Sequence, residues 1–118
     1  MGVEIASVGS YVPETIVRNE DLAELGFDSQ WITRRTGILE RRRATPEEAS
    51  SDLAVKAARQ CLERAGLSGR DVDLIIVATL TPDQMMPSTA CHVQRELDCI
   101  SPAMDVSAAC AGFIYGLV

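Results

Sequence analysis

The run Asp73-Leu74-Ile75-Ile76-Val77-Ala78-Thr79-Leu80 is almost continuously apolar and rich in β-branched side chains. It lacks the alternation of a strand with one wet face. It therefore predicts a strand buried on both faces, as in a parallel sheet flanked by helices. The patterns around it agree. Upstream, Thr45-Pro46-Glu47-Glu48 has capping-box spacing with proline at the first helical position, and predicts a helix to about Ala65, stopped by Gly66. Leu53, Ala57, Cys61 and Ala65 recur every fourth residue along it, with Leu62 alongside. Downstream, Pro87-Ser88 opens another helix, with Met86, Ala90, Val93 and Leu97 as its inner stripe, and Pro102–Val106 is the next strand. Nearer the N-terminus, residues 3–9 alternate weakly as a strand, and Tyr11-Val12-Pro13-Glu14 is a turn. Asn19 is placed to cap a helix that stops at Gly26, and Ser29 to cap a second that runs through Thr36 to Gly37. The order β-α-β-α-β-α indicates a layered α/β fold with right-handed crossovers, without repeats or an internal linker.

The second informative segment is Asp105-Val106-Ser107-Ala108-Ala109-Cys110-Ala111-Gly112-Phe113. A strand ends, small residues turn the chain, and a helical pattern begins with Cys110 at its head. Unpaired N–H groups and the positive end of the helix dipole favour a thiolate there, the form a nucleophile needs. Cys61 and Cys91 fall within helical patterns and are expected to pack, while Cys99 lies in a loop with no partner motif. Asp105, at a strand end near a helix start, is expected to cap or pair rather than act as an acid. His92 lies about 200° around its helix from Ala90, which makes it a surface or interface residue rather than a general base.

Composition excludes several classes. The chain has 118 residues, 47% of them hydrophobic, enough for one small globular domain. No run of apolar residues is long enough to span a membrane, and Met1-Gly2-Val3-Glu4-Ile5 does not resemble a signal peptide. There is no C-x-x-C and only one histidine, so metal-ligand spacing is absent, and free thiols in a reducing cytoplasm are expected. A net charge of −6 argues against nucleic acid as a partner. The charge is uneven: Arg34, Arg35, Arg41, Arg42 and Arg43 stand close together with only Glu40 among them. Arg41, Arg42 and Arg43 fit either a solvated basic face or a docking patch for an acidic carrier protein.

Taken together, four segments in order resemble the β-ketoacyl-acyl-carrier-protein synthase III family. They are Gly9-Ser10-Tyr11-Val12-Pro13-Glu14; Trp31-Ile32-Thr33-Arg34-Arg35-Thr36-Gly37-Ile38 with Glu40-Arg41-Arg42; Leu74–Thr79 followed by Pro87-Ser88-Thr89-Ala90-Cys91; and the Cys110 segment. The resemblance implies a thiolase-like α-β-α-β-α fold, of which residues 1–118 form most of the first half. Phe113, Ile114, Leu117 and Val118 carry the last helix to the chain end without a stop, so a half-domain cut within the nucleophile helix is expected. It further implies that Cys110 accepts an acyl group from acyl-CoA, with its own N–H helping to hold the oxyanion. Condensation with malonyl-acyl-carrier-protein then follows, without metal or redox cofactor, to start type II fatty-acid synthesis. Trp31 would stack on the adenine of coenzyme A, and Arg35 and Thr36 would hold nucleotide and phosphates. Met86 would reach the acyl pocket of the partner subunit in a homodimer. The family's catalytic histidine and asparagine match nothing here, and Phe27-Asp28-Ser29-Gln30 replaces a more polar run before Trp31. Two other readings stand beside this one: a related condensing enzyme of secondary metabolism, and a unit that binds coenzyme A or a partner chain but is catalytically incompetent alone.

Overall fold

A computed structural model of the chain describes residues 2–118. The chain divides into two compact units, one comprising Val12–Glu47 and the other the segment up to Tyr11 together with Glu48–Val118.

The smaller unit contains two strands that the sequence patterns did not reveal. β1 (Thr15–Arg18) pairs antiparallel with β2 (Glu40–Arg43), with Thr15 opposite Arg43 and Arg18 opposite Glu40. A 3₁₀ turn over Glu20–Leu25 and helix α1 (Ser29–Thr36) lie between them. Asn19 does not cap the 3₁₀ turn, because its backbone is already helical and its side chain makes no capping bond. It is instead the buried hub of the unit, 1% exposed. Its Nδ2 donates to Thr33 Oγ1 (3.1 Å) and to the Ile38 carbonyl (2.8 Å), and its Oδ1 accepts from Arg41 Nη2 at 2.7 Å. Each is a bond the amide would otherwise make to water, so the cluster satisfies what burial removes. The cap of α1 is Asp28, not Ser29: its carboxylate accepts the Trp31 N–H at 3.1 Å, the usual service of an aspartate at that position. Gly37 ends α1 with φ +72°, a conformation that a side chain would strain.

Two of the clustered arginines have structural work here. Arg41 reaches Asn19 and the Val17 carbonyl, and Arg42 Nη1 donates to the carbonyls of Pro13 (3.0 Å) and Glu14 (3.4 Å). Both guanidinium groups complete backbone hydrogen bonding within the unit; Arg43 remains exposed.

In the larger unit, α2 (Ser50–Ala65) begins four residues later than the capping-box spacing suggested, since Pro46-Glu47 form a turn. The N–H groups at its start are taken by other carboxylates. Asp52 Oδ2 accepts from Ala49 N at 2.9 Å, and Asp83 accepts both the Ser51 N–H (2.9 Å) and the Ser51 hydroxyl. β3 (Ile75–Ala78) pairs in parallel with β4 (Ala103–Val106) through α3 (Thr89–Glu96), as the β-α-β order required. The expectation of a strand buried on both faces is corrected. Ile75, Ile76 and Val77 are half-buried and Leu80 is exposed, because among the described residues the elements packed on this two-stranded sheet cover its faces only in part. Ala90 and Val93 are the buried stripe of α3, but Met86 is not part of it; it precedes the helix and is 86% exposed. A last 3₁₀ turn (Ala109–Ala111) leads into α4 (Gly112–Leu117), which packs on β3 and β4.

Residues 3–9 form no strand. They find no neighbouring strand among the described residues and lie along α2 instead. Ser7 Oγ donates to the Cys61 carbonyl at 2.8 Å, and Arg64 donates to the Val8 carbonyl at 2.9 Å. The approach is close enough to require glycine at position 9, where a Cβ would fall 2.1 Å from the Ala57 carbonyl oxygen. Val55 and Ser51 form the fully buried edge of α2, while Ala57 and Cys61 take this N-terminal segment.

Replacing Asn19 by alanine leaves the Arg41 guanidinium and the Ile38 carbonyl short of a buried partner. The expected loss is about 2 kcal/mol of unfolding free energy, measured by guanidinium chloride denaturation. A change below about 0.5 kcal/mol would contradict the hub role.

Candidate active site

Two sets of side chains carry chemistry, one in each unit. In the larger unit, β4 is fixed at its far end by Asp105, whose two oxygens accept the N–H groups of Thr89 and Ala90, each at 2.8 Å. Asp105 thus caps α3 across the crossover, in keeping with the capping role its position suggested. Thr79 N donates to the Val106 carbonyl at 3.1 Å and prolongs the pairing of the two strands by one bond. Beyond this, Ser107 and Ala108 leave the sheet and Ala109 takes φ +45°. That left-handed conformation is uncommon for alanine and costs of order 1–2 kcal/mol. It turns the chain abruptly, and the next residue is Cys110.

Cys110 is exposed, and it is the one free cysteine in that state among the described residues; Cys61 and Cys91 are half-buried and Cys99 is buried. It stands two positions ahead of the helix it was expected to open. It sits inside the 3₁₀ turn closed by Ala111 N to the Ala108 carbonyl (2.9 Å), and α4 begins only at Gly112. The reason is the left-handed alanine, which makes the strand-to-helix passage a tight turn rather than a direct entry. A Cβ at position 112 would lie 3.3 Å from Ala78 Cβ, a tight contact, so α4 approaches β3 closely just after the thiol. The arrangement is a reactive-atom-outward turn between strand and helix, a geometry suited to a nucleophile.

His92 is not arranged to serve that thiol. Its Nε2 is enclosed and has no hydrogen-bond partner among the described residues, and the residue is half-buried on α3. Cys99 behaves as packing: burial raises its thiol pKa, followed by the nearby Asp98 charge, while Arg70 acts weakly the other way. Among the described residues there is no group of three or more side chains that could hold a metal ion.

In the smaller unit, α1 presents Trp31, Arg35 and Thr36. Trp31 is 47% exposed, and the Arg35 guanidinium carbon lies 5.6 Å from its ring centroid, within cation–π range. Thr36 is also exposed, but its hydroxyl is engaged locally: it donates to the Ile32 carbonyl (2.8 Å) and accepts the Ile38 N–H (3.0 Å). Its proton rests on the Ile32 carbonyl in this state. Sequence reasoning missed Phe27. Its ring stacks on Trp31 with centroids 5.6 Å apart and planes at 30°. The signal that could have found it was its place beside the two capping residues Gly26 and Asp28. Met86 stands in the larger unit, on the loop before α3, and Cys110 on the separate turn before α4.

Differential alkylation tests the exposure of these thiols. Under limiting iodoacetamide, Cys110 is expected to react about tenfold or more faster than Cys99, because burial holds the Cys99 thiol protonated and out of reach. Equal labelling of the two, read by peptide mass spectrometry, would contradict the described turn.

No family model matches the chain. Individual relatives do. It is 64% identical over 117 residues to β-ketoacyl-[acyl-carrier-protein] synthase III of Rhodopirellula baltica, covering 99% of this chain and 34% of that protein. Among solved structures, 3-oxoacyl-[acyl-carrier-protein] synthase III from Aquifex aeolicus superposes with a TM-score of 0.92 at 47% identity, over 98% of this chain and 38% of the other. A priming β-ketosynthase from a polyketide biosynthetic pathway superposes with a TM-score of 0.90 at 36% identity, over 97% of this chain and 35% of that one. The chain spans about a third of the length of these relatives. Its mixed helix and strand order is that of a thiolase-like α/β fold. By sequence and by fold, the chain corresponds to the N-terminal portion of β-ketoacyl-acyl-carrier-protein synthase III proteins.

Proposed function

We propose that the chain supplies the nucleophile and the coenzyme A contacts of a condensing acyltransferase that starts type II fatty-acid synthesis. The observation that carries this reading is the exposed Cys110 on the turn that follows left-handed Ala109. The Cys110 thiolate adds to the carbonyl of acyl-CoA. The resulting oxyanion is held by backbone N–H donors, the Cys110 N–H among them, and coenzyme A leaves as its thiolate. Malonyl-acyl-carrier-protein then loses carbon dioxide, and the enolate so formed attacks the cysteine thioester. The new carbon–carbon bond releases β-ketoacyl-acyl-carrier-protein and returns the Cys110 thiolate. No electrons leave the substrates, so the sequence of steps uses no redox cofactor, and it requires no metal.

Trp31 offers an indole face to the adenine, and Arg35 beside it offers a guanidinium to the phosphates. Thr36, exposed at the end of α1, joins Arg35 in holding nucleotide and phosphates once its hydroxyl turns from the Ile32 carbonyl to the ligand. Met86, exposed on its loop, would enter the acyl pocket of a second copy in a homodimer. In this reading the protein works in the cytoplasm on diffusible thioesters; among the described residues no helix is long and apolar enough to cross a membrane. The histidine and asparagine that stabilise the enolate in the family match no position of these 118 residues. The chain alone is therefore a binding and nucleophile-bearing unit without condensation activity. The likeness to a polyketide-priming ketosynthase supports a second reading, a condensing enzyme of secondary metabolism; acceptance of an acyl carrier protein from fatty-acid synthesis separates the two.

Joining the chain to the remaining two thirds of the Rhodopirellula baltica relative, in place of that protein's own matching third, gives the test. The chimera is expected to condense acetyl-CoA with malonyl-acyl-carrier-protein, and Cys110→Ala to lower the rate by about a thousandfold or more. A chimera that works equally well with Cys110→Ala would end the assignment.

A further inference from the structure

The chain leaves the larger unit at Tyr11 and returns to it at Glu48, so the whole of the smaller unit is threaded between these two residues. The outgoing stretch is laid along α2. Ser7 and Val8 bond to Cys61 and Arg64, and the Ser10 N–H donates to Gln60 Oε1 at 3.0 Å. That course ends with Tyr11 beside Lys56, near the start of α2, which is also where the returning chain arrives. Three side chains close on one another there. Lys56 Nζ donates to Glu48 Oε1 at 2.8 Å and to Tyr11 Oη at 3.0 Å, and Tyr11 Oη donates to Glu48 Oε1 at 3.0 Å. Lys56 Nζ also lies 4.2 Å from the Tyr11 ring centroid, within cation–π range.

Each pair in this triangle is bonded. Glu48 and Lys56 are 8 residues apart, too far for neighbours on one helix face, and they meet because a turn at Pro46-Glu47 precedes α2. A lone exposed ion pair contributes little. Here the Tyr11 hydroxyl and ring hold the ammonium as well. The Glu48 bond, and after it the Tyr11 hydroxyl, keep Lys56 protonated well above the usual lysine range. Within the smaller unit, the β1–β2 ladder already sets Thr15 opposite Arg43, and Arg42 holds the Pro13 and Glu14 carbonyls. The two connecting stretches beyond the ladder are then closed by the triangle. We infer that Tyr11, Glu48 and Lys56 form a clasp that ties the outgoing and returning chain together and keeps the smaller unit closed at its base. Holding the ends of a segment together limits the entropy that its unfolded form can gain. The clasp therefore favours the folded state of a unit to which none of its three residues belongs. Trp31 and Arg35 stand in that unit, and the inference holds whatever ligand they take.

Native-state hydrogen exchange of the 118-residue chain, read by peptide mass spectrometry, separates this role from a local one. Lys56→Met keeps an unbranched stem and a good helix former while removing the charge. It is expected to raise exchange about three- to tenfold for the amides of β1, α1 and β2, while those of β3 and β4 keep their rates. Tyr11→Phe keeps the ring and loses the hydroxyl. A smaller rise in the same segment is expected for it, since Lys56 still reaches Glu48. Unchanged exchange across Val12–Glu47 in the Lys56 variant, or a rise confined to α2, overturns the clasp, because Lys56 would then serve only its own helix. A rise shared equally by β3 and β4 overturns it as well, since that reports a loss of stability of the whole chain. No rise in the Tyr11 variant removes Tyr11 from the cluster, and with it the joining of the two crossings.

Discussion

The Asp105 carboxylate fastens β4 to the first turn of α3, and the position of the reactive turn follows from that attachment. With both oxygens on backbone N–H groups at 2.8 Å, the bond pair satisfies donors that a helix start cannot satisfy itself. It also sets where β4 lies beside β3, and thus where the strand ends. Five residues later the chain reaches Cys110. The parallel pairing, the capped helix and the left-handed Ala109 act in series: each holds the next, and the last presents a thiol to solvent. The strain at Ala109 is the cost of that presentation, in the way that tight turns at reactive groups often hold sparsely populated backbone conformations.

The smaller unit has a corresponding anchor in Asn19. One buried amide joins the start of the 3₁₀ turn, α1, the Ile38 carbonyl ahead of β2 and the Arg41 guanidinium. This separates two roles within a basic cluster that composition alone cannot distinguish. Arg41 and Arg42 complete carbonyl and amide hydrogen bonding inside the unit, whereas Arg34 and Arg35 stand on α1 beside the exposed aromatic pair. A charge count treats all five arginines alike; the backbone carbonyls they reach do not.

Much of the fold was legible because its signals are local. The β-branched run at 75–78, the αL glycines at 26, 37 and 66, and the small-residue turn before Gly112 each state a backbone conformation through side-chain shape. The family, too, was legible, since four segments in register are hard to mimic. What sequence could not show depends on partners distant in the chain. Glu40-Arg41-Arg42-Arg43 has poor strand propensity, and it becomes β2 only because Thr15–Arg18 offers a ladder. Residues 3–9 have the better pattern and form no strand, since no neighbour among the described residues supplies the hydrogen bonds. The start of α2 was misjudged for the same reason: Asp83, 32 positions beyond Ser51, provides the cap. Cys110 in the larger unit, and Trp31 and Arg35 in the smaller, were visible as residue types in motifs. The angle of Phe27 to Trp31 and the engagement of the Thr36 hydroxyl were not, because both are set by where neighbouring backbone groups point.

The central claim is that one sulfur, on the turn after Ala109, is the atom that accepts the acyl group. It is tested most directly by exposing the chimera to acetyl-CoA alone, without malonyl-acyl-carrier-protein, and mapping the acetyl group by peptide mass spectrometry. The account predicts acetylation at Cys110 and none at Cys61, Cys91 or Cys99. An acetyl group on any of those three, or an unmodified Cys110 in a chimera that still condenses, would contradict it.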